Sequence, residues 1–169
     1  RLLEEMDDFE VVGTASGGLF YTADRGASWT PLFDEQPTLA IGDIAIAPSD
    51  ERLLYVGTGE PNGGGGSMTY DGGGVYKSAD GGASWQHLGL DSTGSIGKIV
   101  VHPEDPDILY VGAMGRLFEN NEERGLYKST DGGASWEQVL YLSDSTGVID
   151  LVMHPENPDM LYAATWERT

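Results

Sequence analysis

Short apolar runs recur along the whole chain, each bounded by clusters of Gly, Pro, Asp or Ser. Typical runs are Ile96–Val101, Ile108–Gly112, Gly125–Ser129 and Ser135–Leu140. They are rich in β-branched and aromatic residues, and punctuation falls roughly every 8–12 residues, the habit of all-β proteins. A helical repeat would need longer uninterrupted periods. The runs 96–101 and 108–112 are almost continuously apolar rather than alternating. That pattern predicts strands covered on both faces.

The runs are ordered by an internal repeat. Thr22–Trp29, Ser78–Trp85 and Ser129–Trp136 align without gaps as Ser/Thr-x-Asp-x-Gly-Ala-Ser-Trp. A second element couples an apolar run, a Pro turn and Leu-Tyr: Ile44–Gly57, Ile99–Gly112 and Leu151–Ala163. The aspartates Asp24, Asp80 and Asp131 are 56 and then 51 residues apart. A period of about 50 residues holding four strand signals is one blade of a β-propeller. The expected fold is therefore all-β, a propeller segment of about three four-stranded blades, part of a larger propeller. Strands B to D of a first blade are expected at 11–33, whole blades at 41–89 and 96–140, and strands A and B of a fourth at 148–168. Residues 1–10 fit no strand A pattern and read equally as a short helix, a tag remnant or a degenerate strand. Propellers close with about 4–8 blades, so the ring expects further blades or a second chain.

The repeated hairpin is chemically legible. Its carboxylate (Asp24, Asp80, Asp131) can accept backbone N–H bonds within a tight turn, and the hydroxyl of Thr22, Ser78 or Ser129 can close the same turn. Gly26, Gly82 and Gly133 supply positive φ. Trp29, Trp85 and Trp136 are expected to bury their rings between sheets. These residues read as structural.

The motif resembles the Asp-box (BNR) repeats of sialidases, xyloglucanase-type glycoside hydrolases and sortilin/Vps10 ectodomains. Over residues 11–168 the chain is most similar to bacterial secreted propellers of the glycosyl-hydrolase-like and sortilin-like kind. The resemblance implies an extracytoplasmic location and Asp-box hairpins opposite the ligand face. That face then carries the loops between strands B and C and between blades. The long loops 59–71 and 114–124 fall there and offer Glu60, Tyr70, Asp71, Arg116, Phe118, Glu119 and Arg124, with Tyr141 beyond. Loops of this length are commonly functional. Xyloglucanase-type propellers carry a catalytic Asp directly after the first-blade Thr, where this chain has Ala15 after Thr14. The arginine triad of sialidases is missing. For an acid pair of the glycosidase kind, the candidates are Asp43, Glu60 and Asp150.

Composition narrows the partners. The formal charge is −19, with 28 acidic residues against three Lys and six Arg. Such a surface repels nucleic acid and anionic membranes. It suits solubility in a salty or extracellular medium, or a cationic partner. No apolar run reaches the 18 residues of a membrane helix. Without Cys there is no disulfide, thiolate or Cys-ligated zinc. His102 and His154 sit in equivalent Pro turns and read as turn residues. Gly63–Gly66 lacks the Gly-Lys-Ser/Thr of a phosphate loop. Glu119–Glu123 is a candidate for Ca²⁺ without EF-hand spacing; no other cofactor or metal is expected. The sequence thus favours a non-catalytic binding or scaffold propeller that takes a protein or glycan on its long-loop face. Its alternative is the propeller portion of a secreted glycoside hydrolase with catalytic residues partly outside this segment.

Overall fold

The computed structural model describes residues 3–6, 9–62 and 70–167. Fourteen strands and one 3-10 turn (Asp91–Thr93) make up the regular structure among them. The strands form four consecutive antiparallel sheets, each a simple meander. The first contains β1 (Leu3–Met6), β2 (Phe9–Thr14), β3 (Gly18–Thr22) and β4 (Thr30–Pro31). The second contains β5 (Ile41–Ala47), β6 (Asp50–Thr58), β7 (Val75–Ser78) and β8 (Gln86–His87). The third contains β9 (Ile96–Val101), β10 (Leu109–Ala113), β11 (Gly125–Ser129) and β12 (Glu137–Leu140). The fourth is the pair β13 (Thr146–His154) and β14 (Asn157–Glu167). This is a partial propeller whose sheets are its blades.

Of the readings left open for the N-terminal segment, residues 3–6 take that of a degenerate strand. Residues 3–6 pair with β2, from Leu3 opposite Val12 to Met6 opposite Phe9. The first blade thus has a strand A, although Leu-Glu-Glu-Met carries none of the apolar run seen in the other blades.

Layers of apolar side chains join the blades. Val11, Leu19, Phe33, Ile44, Val56 and Tyr76 fill the space between the first and second. Ala45, Tyr55, Val75, Leu88, Ile99, Leu109 and Val111 fill that between the second and third. Successive residues of β6, Tyr55 and Val56, thus face opposite layers. This is the physical basis of its unbroken apolar run, since side chains alternate across a strand.

The repeated hairpins link β3 to β4, β7 to β8 and β11 to β12. In each, the hydroxyl of Thr22, Ser78 or Ser129 donates to the Asp carboxylate at 2.7–2.8 Å. The same oxygen accepts the N–H of Gly26, Gly82 or Gly133 at 2.8–2.9 Å. The carboxylate also accepts the N–H and hydroxyl of Ser28, Ser84 or Ser135. These bonds, the serine hydroxyls foremost, hold Asp24, Asp80 and Asp131 down at about 2. A depressed carboxylate stabilises the folded chain above about pH 4, and its contribution is lost as the pH falls through about 2. Ser78 is buried, so Ser78→Ala strands the Gly82 N–H without a partner. A loss of about 1–3 kcal/mol is expected in urea unfolding, with Ser84→Ala, at an exposed hydroxyl, costing less.

The tryptophans act between blades. Trp85 donates from Nε1 to the carbonyl of Leu32, and Trp136 to that of Leu88, both at 2.8 Å. Phe33 meets the Trp85 ring edge-on at 5.1 Å. Trp29 departs from its expected burial and is 41% exposed. Its partner position belongs to a preceding blade, and no such blade is present among the described residues.

Candidate functional site

The innermost strands share an irregularity. In β5 the register slips between Ile41 and Asp43, in β9 between Ile96 and Lys98, and in β13 between Val148 and Asp150. Each slip is a β-bulge, leaving Gly42, Gly97 or Ile149 unpaired. Bulges re-aim the side chain that follows. Here the following residues are Asp43, Lys98 and Asp150, each five positions before the Pro of its turn.

All three line one pocket of about 320 Å³, together with Glu60, Pro61, Asn62 and Ala15. The structure therefore brings the three candidate carboxylates Asp43, Glu60 and Asp150 to a common space. Lys98, which sequence reasoning overlooked, joins them. Its signal was present in the shared offset from the Pro turn.

Asp43 is fully buried. Its Oδ2 accepts the backbone N–H of Ile99 at 2.7 Å, and its Oδ1 accepts from Lys98 Nζ at 3.3 Å. Burial pushes its carboxyl up to about 6, against the opposing pull of the Lys98 charge and the Ile99 N–H. The folded chain thus holds this proton more tightly than the unfolded chain does. Its contribution to stability is greatest below about pH 4 and declines as the pH rises through about 6. Between pH 4 and 7 the wild type should lose about 2 kcal/mol relative to Asp43→Asn. Urea unfolding at a series of pH values checks this, and parallel pH profiles for the two proteins would refute it.

The other carboxylates are more open. Asp150 is exposed, and its Oδ1 accepts the N–H of its neighbour Leu151 at 2.9 Å. Glu60 is half-buried with its backbone pinned, its N–H donating to the Tyr70 carbonyl and its own carbonyl accepting from Ser95 Oγ. Ala15 places a methyl group where the xyloglucanase-type pattern has a carboxylate.

Apart from Glu60, Pro61 and Asn62, the long-loop candidates lie outside this pocket. Tyr70, Phe118 and Tyr141 are exposed. Arg116 spans the two loops, with Asp71 at 4.0 Å and Glu119 at 3.3 Å. Arg124 departs from its expected place on the binding surface, being only 1% exposed. Its guanidinium donates to the carbonyls of Met114, Arg116 and Glu119 and folds the loop around itself. An arginine between acidic residues on a loop reads as ligand-facing in sequence, but here the carbonyls of a turning backbone claim it.

No group of three or more His, Asp or Glu side chains converges to hold a metal among the described residues. The Ca²⁺ candidate at Glu119–Glu123 is instead tied up locally: Glu119 pairs with Arg116, and Glu123 accepts from Asn121. His102 and His154 accept backbone N–H bonds of their own turns through Nδ1. Gly63–Gly66 falls outside the described residues.

No family model matches the chain. It is similar to a xyloglucanase of Hypocrea jecorina (strain QM6a), 29% identical over 140 residues, which cover 75% of this chain and 15% of the relative. Among solved structures, an ancestral GH74 enzyme matches with a TM-score of 0.72 and 26% identity over 96% of this chain and 21% of its own. A GH74 enzyme of Niastella koreensis matches with a TM-score of 0.65 and 25% identity over 93% of this chain and 24% of its own. The chain thus spans about a sixth of the curated relative's length and a quarter or less of the solved ones. It is similar in sequence to xyloglucanases and in structure to segments of GH74 enzymes, and its own fold is a partial β-propeller.

Proposed function

We propose that this chain is the propeller portion of an extracytoplasmic glycoside hydrolase acting on a polysaccharide, with further blades completing its active cleft. The observation that supports this reading is the pocket joining Asp43, Glu60, Asp150 and Lys98 at the bulged ends of the inner strands. Glycoside cleavage uses one carboxyl as proton donor and a second carboxylate across the bond. Asp43, raised to about 6, keeps a protonated fraction near neutral pH and is suited to the first role. Asp150, the exposed carboxylate on the same space, is suited to the second. Ala15 rules the first-blade carboxylate of the xyloglucanase-type pattern out of this part.

The exposed rings of Tyr70, Phe118 and Tyr141 support a second reading, a non-catalytic propeller that grips a glycan, or a protein as in the sortilin-like resemblance. Reducing-end release from xyloglucan by the protein in its full length distinguishes the two. Hydrolysis that falls roughly 10²–10⁴-fold in Asp43→Asn and Asp150→Asn, but not in Asp71→Asn, supports the hydrolase. Hydrolysis untouched by the first two variants places the chemistry in other blades. Binding of xyloglucan without hydrolysis supports the second reading.

A further inference from the structure

Asp43 belongs to the second blade and is held from the third. Lys98 Nζ donates to its Oδ1 at 3.3 Å, and the Ile99 N–H donates to its Oδ2 at 2.7 Å. The donors are consecutive residues of β9, just after the bulge at Gly97. That stretch of backbone is fixed from both sides. A methyl group on Gly42 would strike the carbonyl of Ile96, and one on Gly97 would strike the carbonyls of Val148 and Ile149. β9 is thus wedged between β5 and β13, and the root of the Lys98 side chain has little freedom.

The pair divides its burial unequally. The Asp43 side chain is 1% exposed and that of Lys98 27%. The ammonium therefore reaches the pocket that the buried carboxyl borders. Lys98 is the one cation among the described residues lining it. The other charged groups there are the carboxylates of Glu60, on the loop after β6, and Asp150, on β13. A proton donor is left as a carboxylate once the departing oxygen has taken its proton. Buried, and with two further carboxylates on the same space, that charge is unfavourable unless a cation stands beside it.

We propose that Lys98 is the positioning residue of this site: it aims the Asp43 carboxyl and balances the negative charge that remains when the proton has left. It acts through Asp43 and need not touch the substrate. The role presupposes the hydrolase reading. It also sets the upper end of the working pH range. An opposite charge within about 4–6 Å favours the ionised carboxyl by about 1–3 pH units. Without the ammonium, Asp43 keeps its proton to higher pH and gives it up less readily.

The test uses the full-length protein carrying Lys98→Met, Lys98→Gln or Lys98→Arg, with folding checked by circular dichroism. The titration of Asp43 is followed without substrate, as the infrared carboxyl band that Asp43→Asn removes. In Lys98→Met, and in Lys98→Gln, which keeps a donor without the charge, it is expected to rise by about one pH unit or more. The alkaline limb of kcat/KM on xyloglucan should rise with it. In the same variants kcat should fall roughly tenfold or more, with KM within about twofold of wild type. Lys98→Arg keeps the charge and should hold titration and kcat close to wild type. An Asp43 titration that stays at its wild-type pH in the folded Met or Gln variant overturns the proposal. So do equal losses of kcat in the Met and Arg variants. The two readings fail separately. A shifted titration in a protein that does not cleave xyloglucan leaves the Lys98–Asp43 coupling standing and removes the hydrolase. Cleavage with an unshifted titration removes Lys98 alone.

Discussion

Arg124→Ala is expected to destabilise the chain by about 3–5 kcal/mol, the loss of a large buried side chain together with its hydrogen bonds. The guanidinium sits 1% exposed and satisfies the carbonyls of Met114, Arg116 and Glu119. Alanine leaves those acceptors without their donor and opens a void the size of the side chain. The loop would rebuild around water, displacing Arg116 and Phe118 from the ligand face. Denaturant unfolding measures the loss, and Arg116→Ala, a half-exposed neighbour in surface ion pairs, should stay within about 0.5 kcal/mol of wild type. Equal effects at the two positions would show that the buried clamp has no special weight.

Gly42→Ala is the second large effect, about 3 kcal/mol or more. A methyl group there would collide with the carbonyl oxygens of Ile96 and Gly59. Both obstacles are backbone, so no rotamer change relieves them and the second and third blades must separate at the bulge. The backbone of Gly42 is not in the left-handed region, so the cost is steric. Gly89→Ala is the contrasting control, with φ at +87° and open space around the added atom. It should cost about 1 kcal/mol through conformation alone. Comparable losses for the two variants would contradict the close-approach argument. Since Gly42 also borders the pocket, its variant should weaken any ligand held there.

Much of the fold was legible because the repeat is local. The Ser-x-Asp-Gly-Gly-x-Ser-Trp hairpin encodes its own turn, and the Pro turn marks the entry to each Leu-Tyr strand. β1 was illegible because Leu-Glu-Glu-Met is recruited by pairing with β2, a tertiary effect that overrides a weak local pattern. Trp29 read as buried because its motif aligns with those of Trp85 and Trp136, whereas burial depends on a neighbouring blade. At the site, Asp43 and Asp150 could be found because they sit at one position of the repeat, just ahead of the Pro turn. Lys98 holds the same position but is not an acid, and a search for paired carboxylates passed over it. Arg124 was misplaced because exposure cannot be read from charge when a loop folds back on its own carbonyls.

The bulge at the inner end of β5, β9 and β13 is one backbone solution used three times with Asp, Lys and Asp after it. The fold sets where those side chains stand, while leaving their identity free. Blade packing and pocket charge are therefore separately variable. A propeller of this kind can exchange one ligand preference for another by single replacements around the ring, without re-solving its architecture.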